Sequence, residues 1–154
     1  MNASGILGDS VEALSRLAKA GVSALVTKSF TREAREGYPT PIAIPVPCGL
    51  LNAVGLSNPG INTLPGLVRG ARKLGLPVIV SIAGSSEEEF LELASTAEEA
   101  GASAIELNFS CPHSEARGLE LGVDYDYASK IASSVSSTTR IPIFAKLGYV
   151  DRPL

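Results

Sequence analysis

The segment Asn108-Phe109-Ser110-Cys111-Pro112-His113 gathers side chains capable of chemistry just after an apolar run. A free cysteine is most often a small buried hydrophobe. Cys111, with Asn108, Ser110 and His113 around it, reads instead as the working thiol of a catalytic loop. His113 is the only histidine. Its two-residue spacing from Cys111 suggests a nucleophilic pair, but such a pair needs an oriented third group and no residue marks one. Lys28 ends another apolar run. It is either a solvated strand-end lysine or a positive charge aimed at a bound anion. Residues 51–60 are rich in Asn and Gly. Turn chemistry explains Asn58-Pro59-Gly60. Asn52 lies among apolar neighbours, which predicts a buried amide in need of partners, and a polar ligand could supply them.

The elements that must position these residues alternate. Short apolar runs at residues 23–26, 78–82, 104–107 and 143–145 suit a parallel sheet buried on both sides, and residues 1–7 are expected to form a first strand. Between them lie helical stripes. Val11, Leu14, Leu17 and Ala18 follow the capping pair Asp9-Ser10, and Gly21 closes that helix. Leu64, Leu67, Val68 and Ala71 form a second stripe. Phe90, Leu93, Ala94 and Ala97 form a third, capped by Ser86, with Glu87 to Glu89 where the helix dipole favours acids. Tyr127, Ile131, Ala132 and Val135 form a fourth. The irregular stretch 29–62 holds most of the prolines, and loops that long inside compact domains are usually functional.

The alternation predicts an α/β fold, doubly wound or a (β/α)8 TIM barrel. Polar residues at the strand ends (Ser4, Lys28, Ser81, Asn108 and Lys146) favour the barrel, whose chemistry sits there. No GxGxxG or GxxxxGK[ST] follows a strand, which removes the usual signs of a nucleotide crevice. The count gives four βα units plus a fifth strand, about half of an eight-stranded barrel, so residues 1–154 are expected to be a partial barrel domain truncated at its C-terminus.

Of the 154 residues, 45% are hydrophobic and the net charge is -3. That composition allows one core, and without a basic run it argues against a nucleic-acid surface. The apolar runs are strand-sized, so no membrane span is expected. The N-terminus lacks the features of a signal peptide. Cys48 and Cys111 are far apart and near no second metal-type ligand, so no metal is expected, and a reducing cytoplasm is the default.

Several motifs occur in order: Asn2-Ala3-Ser4-Gly5, Val26-Thr27-Lys28-Ser29, Arg35-Glu36-Gly37-Tyr38-Pro39, the 51–60 segment, Glu106-Leu107-Asn108-Phe109-Ser110-Cys111-Pro112 and Lys146-Leu147. With them the chain resembles the N-terminal half of the soluble, class 1 dihydroorotate dehydrogenases, FMN-containing (β/α)8 barrels of pyrimidine biosynthesis. The resemblance implies oxidation of dihydroorotate to orotate. Cys111 would remove the C5 proton and FMN would take the C6 hydride. It places Lys28 between flavin and substrate carboxylate, and Lys146 near the flavin pyrimidine ring. Asn52, Asn108 and His113 would be substrate contacts, and Val54, Gly55 and Leu56 a backbone segment facing the carboxylate. Ala3, Ser4, Gly5 and Ser29 would abut the flavin, with Asn108 contributing there too.

His113 stands where many class 1 members have asparagine, which also resembles the pyrimidine-reducing barrel of dihydropyrimidine dehydrogenase, acting on uracil or thymine. The family's FMN phosphate loops would lie beyond Leu154, so an inactive fragment is a further alternative. A homodimer is expected of the full-length form. If electrons pass to NAD, the resemblance implies an FAD and iron–sulfur partner subunit; fumarate is the other acceptor.

Overall fold

The computed structural model describes residues 1–110 and 124–148. Its centre is a parallel sheet of β1 (Leu25–Val26), β4 (Val78–Ile82), β5 (Ala104–Asn108) and β6 (Ile143–Lys146), in that spatial order. A separate antiparallel hairpin pairs β2 (Ala43–Val46) with β3 (Gly49–Asn52). Four helices accompany the sheet: α1 (Val11–Lys19), α2 (Leu64–Arg72), α3 (Glu87–Ala100) and α4 (Tyr125–Thr138).

The register explains the layering. Leu25 pairs with Val78, Val80 with Ile105, and Ile105 with Ile143. Side chains paired in this way share one face of the sheet, because successive strand residues alternate. Leu25, Val78, Val80, Ile82, Ile105 and Leu107 form one buried cluster with Leu14 of α1, Leu67 and Val68 of α2, Phe90 and Leu93 of α3, and Ile131 and Val135 of α4. All four helices therefore cover the same face. Strands in sequential order with helices on one side are wound as in a barrel; a doubly wound sheet carries helices on both faces. Each large side chain fully removed from water contributes about 1.5–3 kcal/mol.

The opposite face changes character along the strands. Val26, Ile79 and Ala104 form a small apolar cluster at one level. The next levels hold Ser81 paired with Glu106, Glu106 with Phe144, and Asn108 with Lys146. This face thus turns polar toward the C-terminal ends of the strands.

The caps follow the sequence. Ser10 accepts from the Ala13 N–H at 3.2 Å and Ser86 from the Glu89 N–H at 3.3 Å. Each satisfies one of the donors that a helix start leaves unpaired. Asp124, not foreseen as a cap, accepts from Tyr127 N at 3.0 Å and starts α4 two residues before the expected stripe.

Two expectations are corrected. Residues 1–7 form no strand. The Asn2 side chain instead takes the place of a strand partner: its Nδ2 donates to Val26 O at 2.8 Å and its Oδ1 accepts from Val26 N at 2.9 Å. Gly8 then passes so close to β1 that a Cβ there would lie 2.7 Å from Val26 O, while its own oxygen accepts from Lys28 N at 3.0 Å. The stretch 29–62 is also less irregular than expected, since it contains the β2–β3 hairpin. That hairpin is exposed along its whole length, so no burial pattern announced it, and Pro45 argued against a strand.

Candidate active site at the strand ends

A cleft of about 530 Å³ opens at the C-terminal ends of the parallel strands. Three parts of the chain build it. The N-terminal segment contributes Ala3, Ser4 and Gly5. The strand ends contribute Lys28, Ser29, Asn108 and Lys146. The segment after β3 contributes Asn52, Val54, Gly55 and Leu56. Every described residue expected at a site lines this cleft. Cys111 and His113 lie outside the described residues.

Lys28 sits two residues beyond β1, and its side chain is 8% exposed. Among the described residues the only carboxylate oxygen within reach is Asp9 Oδ2 at 4.0 Å, beyond hydrogen-bonding distance. A desolvated ammonium held so loosely is a standing attraction for an anion. The bland alternative, a solvated lysine, does not fit its burial.

Asn108 closes β5 and is buried. Its Oδ1 accepts from Ser110 N at 3.1 Å and Ser110 Oγ at 2.8 Å, and its Nδ2 donates to Ser29 Oγ at 2.8 Å. The second N–H of the amide has no hydrogen-bond partner among the described residues and can serve a ligand.

The 54–57 segment is held in an unusual conformation. Gly55 has φ +71° and Leu56 has φ +54°. A Cβ on Gly55 would lie 2.8 Å from a Tyr38 ring carbon, so glycine is required there. A left-handed leucine costs about 1–3 kcal/mol and persists only where its surroundings fix it. Asn58 supplies that restraint. Its Nδ2 donates to Leu56 O at 2.7 Å and Thr31 Oγ1 at 2.8 Å, while its Oδ1 accepts from Gly60 N and Thr31 N. The N–H groups of Gly55 and Leu56 make no backbone hydrogen bond among the described residues. Paired free N–H groups beside a cleft can receive a carboxylate.

Asn52 departs from expectation. It lines the cleft but is exposed, as are its neighbours Leu50 and Leu51. Apolar neighbours did not mean burial here, because the hairpin itself stands out from the core.

Glu106 was missed as a site residue. It lies mid-strand in β5 and points to the face away from the helices. Its Oε1 accepts from Ser4 Oγ at 2.6 Å and Ser81 Oγ at 2.7 Å, and Lys146 Nζ is 3.1 Å away. Lys146 also donates to Ser4 Oγ. Burial pushes the Glu106 carboxyl up. The Ser4 and Ser81 hydrogen bonds and the Lys146 charge outweigh that and hold it below the ordinary 4.5. The available signal was an acid alone in the apolar run Ala104-Ile105-Glu106-Leu107. Ile6, Ala53, Ser57 and Ser110 also line the cleft and were not foreseen.

A cleft lined by two lysines at the C-terminal ends of the parallel strands places the chain in a class: α/β proteins with a parallel sheet and a donor-rich cleft at this end of it. Comparison with known families narrows it. The family model described as dihydroorotate dehydrogenase matches residues 1–149. The chain is 49% identical over 152 residues to a putative dihydroorotate dehydrogenase A (fumarate) of Aeropyrum pernix, covering 98% of this chain and 50% of that protein. It is 43% identical over 147 residues to the catalytic subunit of dihydroorotate dehydrogenase B (NAD(+)) of Thermoplasma volcanium, covering 96% and 49%. The corresponding subunit of Pyrococcus furiosus is 43% identical over 145 residues, covering 94% and 48%. The chain belongs to the dihydroorotate dehydrogenase family, and it spans about half the length of the curated relatives it matches. Among the described residues no helix is long and apolar enough to cross a membrane.

Proposed function

We propose that residues 1–154 form the N-terminal half of a (β/α)8 barrel that uses FMN to oxidise dihydroorotate to orotate in pyrimidine biosynthesis. The observation that carries this reading is the convergence on one cleft of the Lys28 ammonium, the Asn108 amide, Lys146, and Gly55 and Leu56, whose N–H groups make no backbone hydrogen bond among the described residues. Orotate is a planar ring that carries N–H donors, carbonyl acceptors and a carboxylate, and this donor set complements the carboxylate and carbonyl oxygens.

The residues present also fit a flavin ring. Ala3, Ser4 and Gly5 form a wall of small side chains, with open space where a Cβ on Gly5 would project. Lys146 stands across from Ser4 as a cation able to offset negative charge on the ring. When bound, FMN supplies the acceptor for the C6 hydride. Cys111 takes the C5 proton as thiolate. Lys28 and the 55–56 backbone hold the carboxylate, while Asn52, Asn108 and His113 orient the ring. Holding the carbon acid beside its base in a fixed pose accounts for much of the rate such a site can provide.

The test is to co-produce this chain with the region matching the second half of the Aeropyrum relative, record flavin absorbance, and follow orotate formation. Stoichiometric FMN and turnover are expected, with Cys111→Ala retaining flavin and losing turnover. Absence of flavin would refute the proposal. Turnover of dihydrouracil without dihydroorotate would move the substrate to uracil or thymine chemistry. The chain alone is expected to bind FMN weakly and turn over little. The Thermoplasma volcanium and Pyrococcus furiosus relatives are NAD-linked catalytic subunits by name, which favours NAD as acceptor through a separate electron-transfer subunit. Rates with NAD plus that subunit, set against rates with fumarate, decide between them.

A further inference from the structure

We propose that Glu106 is a positioning residue for this cleft: its carboxylate sets the direction of an unbroken hydrogen-bond relay that orients Asn108, and it anchors Lys146 and Ser4 on the other side. The relay runs through four side chains. Asn108 Nδ2 lies 2.8 Å from Ser29 Oγ, Ser29 Oγ lies 2.8 Å from Ser81 Oγ, and Ser81 Oγ lies 2.7 Å from Glu106 Oε1.

Donor counting fixes its direction. An ionised carboxylate accepts only, so Ser81 must give Glu106 its single proton. Ser81 can then only accept from Ser29. Ser29, having donated, must accept from Asn108, which therefore turns its NH2 toward Ser29. Ser110 N–H, a donor that cannot be reversed, holds Oδ1 on the opposite side. Ser29 and Ser81 are both buried, so water does not compete for these bonds.

The charged groups around Glu106 are few. Lys146 of β6 approaches at 3.1 Å, with Ser4 of the N-terminal segment beside it and Ser81 of β4 on the other flank. Lys28, with Asp9 at 4.0 Å, lines the same cleft. The consequence is a polarity rule. The one carboxylate in the network absorbs the hydroxyl protons beneath the cleft, and Lys28, Lys146 and the second Asn108 N–H, unpaired among the described residues, remain as donors toward it. The site is thereby specified for a ligand that presents acceptors, which deepens the proposed function and rests on it for the ligand's identity.

The relay itself is testable without any ligand, so failure to bind FMN or orotate would overturn the proposed activity and leave Glu106's role to be judged separately. The measurement uses the isotopically labelled full chain at pH 7 as wild type, Glu106→Gln, Ser81→Ala and the double variant. The signals followed are the Asn108 side-chain amide and the Lys146 Cε. Glu106→Gln is expected to shift the Asn108 amide when Ser81 is present and to leave it unmoved in the Ser81→Ala background. Lys146 Cε should move in both backgrounds, because its contact with Glu106 is direct. An Asn108 amide that ignores Glu106→Gln, or that shifts equally with and without Ser81, overturns the relay. An unmoved Lys146 overturns the anchor. If Ser81→Ala fails to fold, Ser29→Ala breaks the chain at its next link and is expected to give the same isolation.

Discussion

Glu106→Gln at pH 7 should destabilise the chain by about 1–2 kcal/mol, and the loss should vanish in acid. The substitution preserves shape and an acceptor oxygen but removes the charge. Hydrogen bonds to charged groups contribute about 1.5–3 kcal/mol net, against about 0.5–1.5 for neutral ones. The Ser81 bond lies under the sheet face with its donor fully buried, so it should lose about 1 kcal/mol. Ser4 and Lys146 face the cleft, where water competes, and together they add at most about 1 kcal/mol. The pH dependence follows from the sign of the shift. The folded Glu106 carboxyl lies below its ordinary 4.5. Its stabilisation is therefore fully present above that value and is lost as pH falls through the folded pKa. Urea titrations of both proteins at pH 7 should differ in midpoint by roughly 0.5–1 M, for slopes typical of small domains. The two curves should converge below pH 4.5. Equal stability at pH 7, or a difference that survives unchanged in acid, would refute the network's energetic role.

Lys28→Met should leave stability unchanged or slightly higher, since it removes a desolvated ammonium with no hydrogen-bond partner among the described residues; thermal melts check this, while orotate affinity in the complemented protein should fall about 10–100-fold, the loss of one charge-assisted contact. Phe144→Ala should cost at most about 1 kcal/mol in the chain alone, because Phe144 is 50% exposed, whereas Phe90→Ala at 0% exposure should cost about 3–5 kcal/mol. Repeating the urea titrations with the second half supplied should raise the Phe144 cost toward that of Phe90; a cost that stays small would count against the half-barrel. With Cys111 as base, the steady-state rate of the complemented protein should climb with pH toward the thiol's reference value of about 8.5, and Cys111→Ser should slow it at every pH.

The helices were legible because each carried a local signal. The Ser10 and Ser86 caps and the stripes of α2 and α3 are all decided within a few residues of sequence. The strands were legible as apolar runs, and Lys28, Asn108 and Lys146 at their polar ends do line one cleft. Two features escaped because their causes are not local. Residues 1–7 look like a strand, but the pairing with β1 is made by one Asn2 side chain, which composition does not reveal. The β2–β3 hairpin carries apolar residues outward, so the usual link between hydrophobicity and burial misplaced Asn52. The cleft residues came from motif order, while Glu106 was passed over because its partners Ser4, Ser81 and Lys146 lie 102, 25 and 40 (146 minus 106) positions away in sequence.

The exposed apolar residues bear on why a chain with a well-made core looks unfinished on one side. Ile6 and Leu7 lie on the N-terminal segment, Ile44, Val46, Leu50 and Leu51 on the hairpin, and Phe144 on β6, all at least 36% exposed. None lies on a helix. The helix-covered face is closed, with Leu14, Phe90, Ile131 and Val135 at 0% exposure. The deficit thus falls on the face where the cleft opens and on β6, the strand with no partner on its far side among the described residues. Single exposed hydrophobics are ordinary, but a set confined to the N-terminal segment, the hairpin and β6 is consistent with a surface that is covered in a larger assembly. In a barrel that cover is the remaining strands, which would pair with β6 and close over Phe144. The chain spans about half the length of the relatives it matches. The cleft, already carrying Lys28, Asn108 and Lys146, would then become the mouth of a closed site, where exclusion of water strengthens each of those contacts.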